Sequence, residues 1–437
     1  MFTVSNIKMY LNMKINKILA ALALSAGFLA VSCEDQPDAF VQADGVPTVH
    51  YVRYADQDIL IEQAYMEEAV CIVGDNLRSV NQLWFNDQEA ILNTSYMTAN
   101  TIVVNIPSEI ATVQTDKIYL ITAAQDTVTY DFKVLPPAPV VKSMSCEWAA
   151  PGTVATIYGD YFIGTEANPV VVEFPNATVT DFKSITKTAM TFTIPEAALP
   201  GKVKVTTASG TSASPFQYLD SRNILFDWDG TRGGLALGSG WRDGSKVVRT
   251  PGQDAWPAID GSYILFTGDL AGGAGATWSE DPYSFNYWSN PAGGVPELST
   301  RPEFAALIEQ YGVAGLQVKF ECLIPASNPW ASCALQIIWS SRATDDVYSN
   351  AYFSDPSVPR GLWIPWKATG SYDTNGEWTT VSLPLSGFNK TFDGKDMSGM
   401  TVDQFAGLTF FVWNGGVEGT DCCPMIAIDN IRVVPLK

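Results

Sequence analysis

The stretch "WIPWKATGSYDTNGEW", residues 363–378, sets three tryptophans and a tyrosine among Gly, Ser, Thr and Asn. Other large rings lie in segments of similar composition: Trp278 and Trp288 in "ATWSEDPYSFNYWSNP", and Trp330 in "SNPW". Large rings in loops built of turn formers point to contact with something outside the chain. A pyranose offers a flat C–H face rimmed by hydroxyls, and an aromatic ring edged by amides or carboxylates complements it. Trp330, Trp363, Trp366, Tyr352 and Trp288 are the candidate platforms on this reading. Other rings read as core: Trp339 alternates with Leu335 and Ile337 in "LQIIW", Trp378 opens "WTTVSLPL" and Trp413 follows "LTFFV". Trp228, in "FDWDG", sits at a strand end and is assigned to neither group.

Catalytic chemistry finds less support. The chain has one histidine, His50, distant in sequence from the aromatic loops, so neither a Ser-His-Asp site nor a histidine-based lyase is expected. A glycoside hydrolase needs two carboxylates roughly 5–10 Å apart. Asp227, Asp229, Glu280, Asp281 and Glu377 are available, but no local motif pairs them. Asp227, Asp229 and Asp429 could meet around a structural calcium, although acidic turn residues in solvent are the preferred account. No cofactor is required.

The formal charge of −20 excludes nucleic acid and disfavours anionic lipid as partners, but leaves a neutral glycan open. Near the N-terminus, Lys14 and Lys17 precede the apolar run "ILAALALSAGFLAVS", which ends at Cys33. The run is shorter than the roughly 20 residues that span a bilayer and reads as a secretory signal, starting at Met1 or Met13. "AVSC" is similar to a bacterial lipobox, which makes Cys33 the expected acylation site and first mature residue. The acids of "CEDQPD" are similar to a surface-export signal. Of the remaining cysteines, Cys322 and Cys333 flank a loop and could bridge, but burial as small apolar groups is the preferred account for most; Cys422 and Cys423 have no clear assignment.

A repeat follows residues 34–45, an acidic tether. "VCIVGDNL" at 70–77 matches "ATIYGDYF" at 155–162, and "TIVVNIPSEI" at 101–110 matches "AMTFTIPEAA" at 189–198. An offset of roughly 85 residues with short alternating strands indicates small sandwiches. "LPPAPVV" at 135–141 marks the joint between the copies. The rest reads as strands with one helical stretch, "PEFAALIEQYG" at 302–312, and it holds 11 of the 13 tryptophans. The expected fold is all-β: two tandem Ig-like sandwiches and a larger jelly-roll sandwich. The expected boundaries are 1–32 signal, 33–45 tether, 46–136 and 137–219 Ig-like modules, and 220–437 C-terminal domain.

The G-[DN]-x-[LF] turn, the "F[NP]" strand and the "IP" strand end resemble the IPT/TIG domain. "IPWKATGSYDTNGEWTTVSLPLSGF" and "IAIDNIRVV" resemble the glycan-binding domain of the Bacteroidota surface glycan-binding proteins of the second type. That resemblance covers nearly the whole mature chain. It implies non-catalytic capture of a polysaccharide, commonly a β-glucan, with the Ig-like modules as spacers. It also implies an outward-facing outer-membrane lipoprotein, held by acylated Cys33 and working beside a TonB-dependent transporter and surface glycosidases. The alternatives are a secreted sandwich-fold glycoside hydrolase and a protein-binding adhesin.

Overall fold

The structure, a computed structural model, describes residues 40–165, 168–234, 246–273, 280–347 and 349–436. The signal sequence, Cys33, Trp241 and Trp278 lie outside the described residues. The chain forms two compact units, 1–137 and 138–437.

The first unit pairs strand Thr48–Tyr54 with Ala69–Asp75, which continues to Thr101–Asn105. A facing sheet joins Val80–Phe85, Gln88–Ala90, Lys117–Thr122 and Thr127–Asp131. Alternate residues of the two sheets, among them Val52, Ile72, Leu83, Ile102 and Leu120, close the core between them. His50 lies on the first of these strands, 3.0 Å from Asp75.

The second unit begins with the same plan, in Val140–Met144, Val154–Asp160 and Ala189–Thr193 facing Val171–Phe174, Ala177–Val179, Gly201–Thr207 and Gly210–Tyr218. The repeated "GD" has a steric cause. A Cβ on Gly74 would lie 1.8 Å from the Thr48 carbonyl oxygen, and one on Gly159 would lie 1.9 Å from that of Val140. In each copy the register shifts beside this contact, at Val49/Tyr51 and at Val141/Ser143.

The C-terminal part is an antiparallel sandwich. One sheet runs in the order Val248–Arg249, Tyr263–Thr267, Met425–Pro435, Leu316–Leu323, Thr379–Pro384, with Ile224–Phe226 also paired to the long strand Met425–Pro435. The other runs Ser284–Tyr287, Gly407–Trp413, Ala334–Ser340, Arg360–Trp363. Phe320, Ile337, Trp339, Phe410 and Ile428 fill the space between the sheets. The helix Pro302–Tyr311 starts on proline and stops at Gly312, whose φ is +59°. All six described cysteines are free, and Cys71, Cys146, Cys322 and Cys333 are buried, so the preferred account of burial as small apolar groups holds for these four and no Cys322–Cys333 bridge forms.

The second Ig-like module and the sandwich share one buried polar cluster. Glu147, in the turn after the module's first strand, accepts from Arg432 Nη2 at 2.9 Å and from Lys319 Nζ at 2.5 Å. Arg432 also grips both oxygens of Glu321 at 2.8 and 3.0 Å. Thr380 donates to Glu321 and accepts from the Glu147 amide, while its own amide donates to Ser145 O. All four charged side chains are nearly water-free, and Cys146, Trp148, Ile224 and Trp378 pack around them. The Ig-like module is therefore more than a separable spacer, and a cut at residue 220 would expose this cluster. Removing one member of such a network leaves its partners charged and dry. Glu147→Ala should cost about 3–5 kcal/mol of stability by chemical unfolding of the full chain; a loss below about 1 kcal/mol would contradict this account of the joint.

Burial pushes the Glu321 carboxyl up to about 7 from an ordinary 4.5, against the opposing pull of Arg432. A carboxyl with a higher pKa folded than unfolded holds its proton more tightly in the native state. Its contribution to stability is thus full below about pH 4.5 and is lost as the pH climbs through 7. Glu321→Gln should flatten the stability–pH curve between those limits, as measured by urea unfolding. An unchanged slope would show that the group does not titrate there.

Candidate functional site

The candidate platform rings divide between two places, on opposite faces of the sheet that contains Ala334–Ser340. Leu335, Ile337 and Trp339 point into the sandwich, while Ile338 points outward to the second group.

On the outward face, Trp288 and Tyr352 pack with Phe353, Phe411 and Trp413. Trp288 Nε1 donates to Tyr352 Oη at 2.8 Å, and that hydroxyl lies 2.7 Å from Thr409 Oγ1. Both rings are buried. The expectation that they stand free in loops is thereby corrected: the segment around Asn350–Phe353 folds across the sheet and covers them. Arg360 fixes this cover. Its guanidinium, fully buried, donates to the carbonyls of Phe353 and Tyr352 and to Gln336 Oε1. Burial lowers its pKa to about 10, which leaves it charged at neutral pH.

The other three rings sit where strand Arg360–Trp363 forms the sheet edge and runs into the turn Pro365–Ala368. Trp330 is fully buried, its Nε1 donating to Ser332 O. Trp366 is 3% exposed, its Nε1 donating to Cys333 O at 2.7 Å. The physical reason in both cases is that loop carbonyls satisfy the indole N–H, so a loop ring becomes core. Trp330 and Trp366 are supports, a correction to their expected role as exposed platforms.

Trp363 differs. It remains half-buried, with its ring edge-to-face against Trp330 at 5.5 Å, Phe320 at 5.7 Å and Tyr372 at 5.8 Å. Tyr372, also half-buried, was not singled out by the sequence reading, although it lies within the quoted stretch. Mutual backbone hydrogen bonds with Trp330, at 2.8 and 2.9 Å, hold it there. The surrounding loops are tied together. Thr420 N donates to Ala331 O, Gly419 N to Gly272 O, and Asn328 Nδ2 to Cys423 O. Asn375, Glu377 and Lys367 are exposed on the same loops, and Asn328 is half-buried. The arrangement offers two held aromatic rings at a sheet edge with amides, acids and a cation on adjoining segments.

Among the rings assigned to core, Trp339 and Trp413 are buried and Trp228 joins them, at a φ of +59°. Trp378 is half-buried, its Nε1 donating to Pro257 O at 3.0 Å and its ring edge-on to Tyr263.

The side chains of Glu280 and Asp281 lie outside the described ones, and Asp227 and Asp229 are held by local amides. Asp227 accepts from the amides of Gly230 and Arg232, and Asp229 from Thr231 and Ser262. Asp429 is fully buried, and burial together with Asp260 pushes its carboxyl well up. Asp227 and Asp429 are thus not solvated turn acids, as expected, but buried ones. Among the described residues no group of three or more His, Cys, Asp or Glu is placed to hold a metal.

Comparison with known proteins decides the family. The crystal structure of the surface glycan-binding protein PbSGBP-B from Prevotella bryantii is 34% identical, with a TM-score of 0.69 over 90% of this chain and all of that one. The chain belongs to the surface glycan-binding protein B family. Residues 218–435 match the family described as the surface glycan-binding protein B xyloglucan binding domain, and 139–219 match the IPT/TIG domain. An IPT/TIG domain-containing protein of Bacteroides ovatus is 29% identical over 157 residues, 34% of this chain and 31% of that relative. This chain therefore matches about a third of that relative's length. The relatives that define the family are described as glycan-binding proteins.

The different roles of neighbouring rings are testable by stability alone. Trp366→Ala should cost about 3–5 kcal/mol, as buried tryptophan truncations do. The half-exposed Trp363 should cost clearly less on the same change. Equal losses in denaturant titrations would place Trp363 in the core with its neighbour.

Proposed function

We propose that this protein captures a neutral β-glucan, of the xyloglucan class, on the edge surface formed by Trp363 and Tyr372, and holds it without cleaving it. The observation that carries the reading is the half-exposed Trp363, buttressed on three sides by rings, within the span that matches a xyloglucan-binding family. A ring hiding about 100 Å² of apolar sugar face contributes roughly 2.5 kcal/mol at about 25 cal/mol per Å². Two such rings, set against the cost of association, give dissociation constants on the order of micromolar to millimolar. Asn328, Asn375 and Glu377 supply hydroxyl partners. The reading needs no cofactor and no calcium.

The domain boundaries given above complete the proposal. So does a place at the outer-membrane surface, facing outward, anchored by acylated Cys33 beside a TonB-dependent transporter and surface glycosidases. The sequence "AVSCED" and the family membership support that placement.

Trp363→Ala should weaken binding of xyloglucan oligosaccharide by about 1–3 kcal/mol in isothermal titration, and Trp363→Phe should recover part of the loss. No new reducing ends should appear on incubation with the polysaccharide. Wild-type affinity in the Ala variant would move the platform elsewhere, and release of reducing ends would make the protein a hydrolase.

A further inference from the structure

The first Ig-like unit carries a cleft that nothing in the account so far uses. It has a volume of about 780 Å³ and lies between the strand end at Ala90, the turn Thr94–Tyr96 and the strand Thr101–Asn105 with its continuation to Glu109. That volume is in the range of small-ligand sites. At its mouth Ile91 is 92% exposed and Tyr96 60% exposed, and Ile110 beside it is exposed as well. Isolated exposed aliphatics are ordinary, but a tyrosine and an isoleucine lining one cleft are not. Its polar lining residues, all exposed, are Asn93, Asn105, Ser108, Glu67, Glu89 and Glu109. The residues that line it include no Lys, Arg or His.

Each property narrows the occupant. Acidic residues without a cation repel a phosphate, a sulfate or a uronic acid. Acidity does not by itself select a basic partner, because the whole chain carries −20. What distinguishes this cleft is an exposed ring and aliphatic side chain bordered by amides and carboxylates, the residue types that meet the C–H face and the hydroxyls of a sugar. We infer that the cleft of the first Ig-like unit is a second, weaker site for a neutral glycan chain, with Tyr96 as its platform. The inference rests on the reading of the protein as a β-glucan binder. Two sites on one chain hold a polymer by multivalency, which raises retention without demanding a tight site.

Titration of the full mature chain with a xyloglucan heptasaccharide tests it, using wild type, Tyr96→Ala, Trp363→Ala and the double variant. Two binding events are expected in wild type. Tyr96→Ala should lose the weaker one and keep the stronger, Trp363→Ala should weaken the stronger and keep the other, and the double variant should retain little of either. Polysaccharide retention in native gels should fall several-fold in Tyr96→Ala. The inference is overturned if Tyr96→Ala titrates and migrates as wild type while Trp363→Ala weakens a single event, an outcome that leaves the main site standing. Silence of the wild-type protein toward every β-glucan would overturn both readings. As a check independent of variants, NMR shifts at Ile91, Asn93 and Tyr96 should follow the oligosaccharide. Shifts there with an oligolysine peptide, and none with sugar, would assign the cleft to a basic segment instead.

Discussion

One guanidinium organises the second unit. Arg432 lies on the central strand of the sandwich, wholly removed from water, and binds Glu321 of the neighbouring strand and Glu147 of the Ig-like module. Desolvating these charges carries a penalty that attraction offsets only when every partner is present. The strand order, the joint between module and sandwich, and the placing of Trp148 and Trp378 therefore depend on each other. Arg232, 4.4 Å over the Trp148 ring and paired with Asp260, extends the arrangement to the loop next to Asp429.

The outward sheet face is closed by the segment anchored on Arg360, and the proposed binding surface is the edge where Arg360–Trp363 ends the sheet. There the chain turns at Pro365, and loops hydrogen-bonded to one another hold Trp363 and Tyr372 against a buried layer of Trp330, Phe320 and Trp366. A platform of this kind is set in advance. It loses little side-chain freedom on binding, which suits capture of a mobile polymer.

Much of this was legible in the sequence. The repeat, the two sandwich modules, the helix at 302–312 and the core roles of Trp339 and Trp413 follow from period and turn chemistry. The loop tryptophans were not. Composition said that loops of Gly, Pro and Ser cannot bury an indole, but Trp330, Trp366 and Trp288 each find a carbonyl or hydroxyl for their N–H and pack under their own loops. Periodicity has no purchase on such segments. The joint was missed for a different reason. Glu147 and Trp148 stand side by side in a turn of the second copy, and nothing in the sequence says that a turn of a repeated module contacts another domain. Arg432 and Lys319 gave the complementary hint, as cations on strands whose other residues are mostly apolar.

The central claim is that sugar lies on the sheet edge and not on the covered face. A crystal structure of the protein with a xyloglucan oligosaccharide tests it most directly. The account predicts a pyranose ring stacked on Trp363 and Tyr372, with hydroxyls reaching Asn375, Glu377 or Asn328, and Arg360 still buried beneath its loop. An oligosaccharide lying across Trp288 and Tyr352, with the segment at 350–358 displaced, would contradict it.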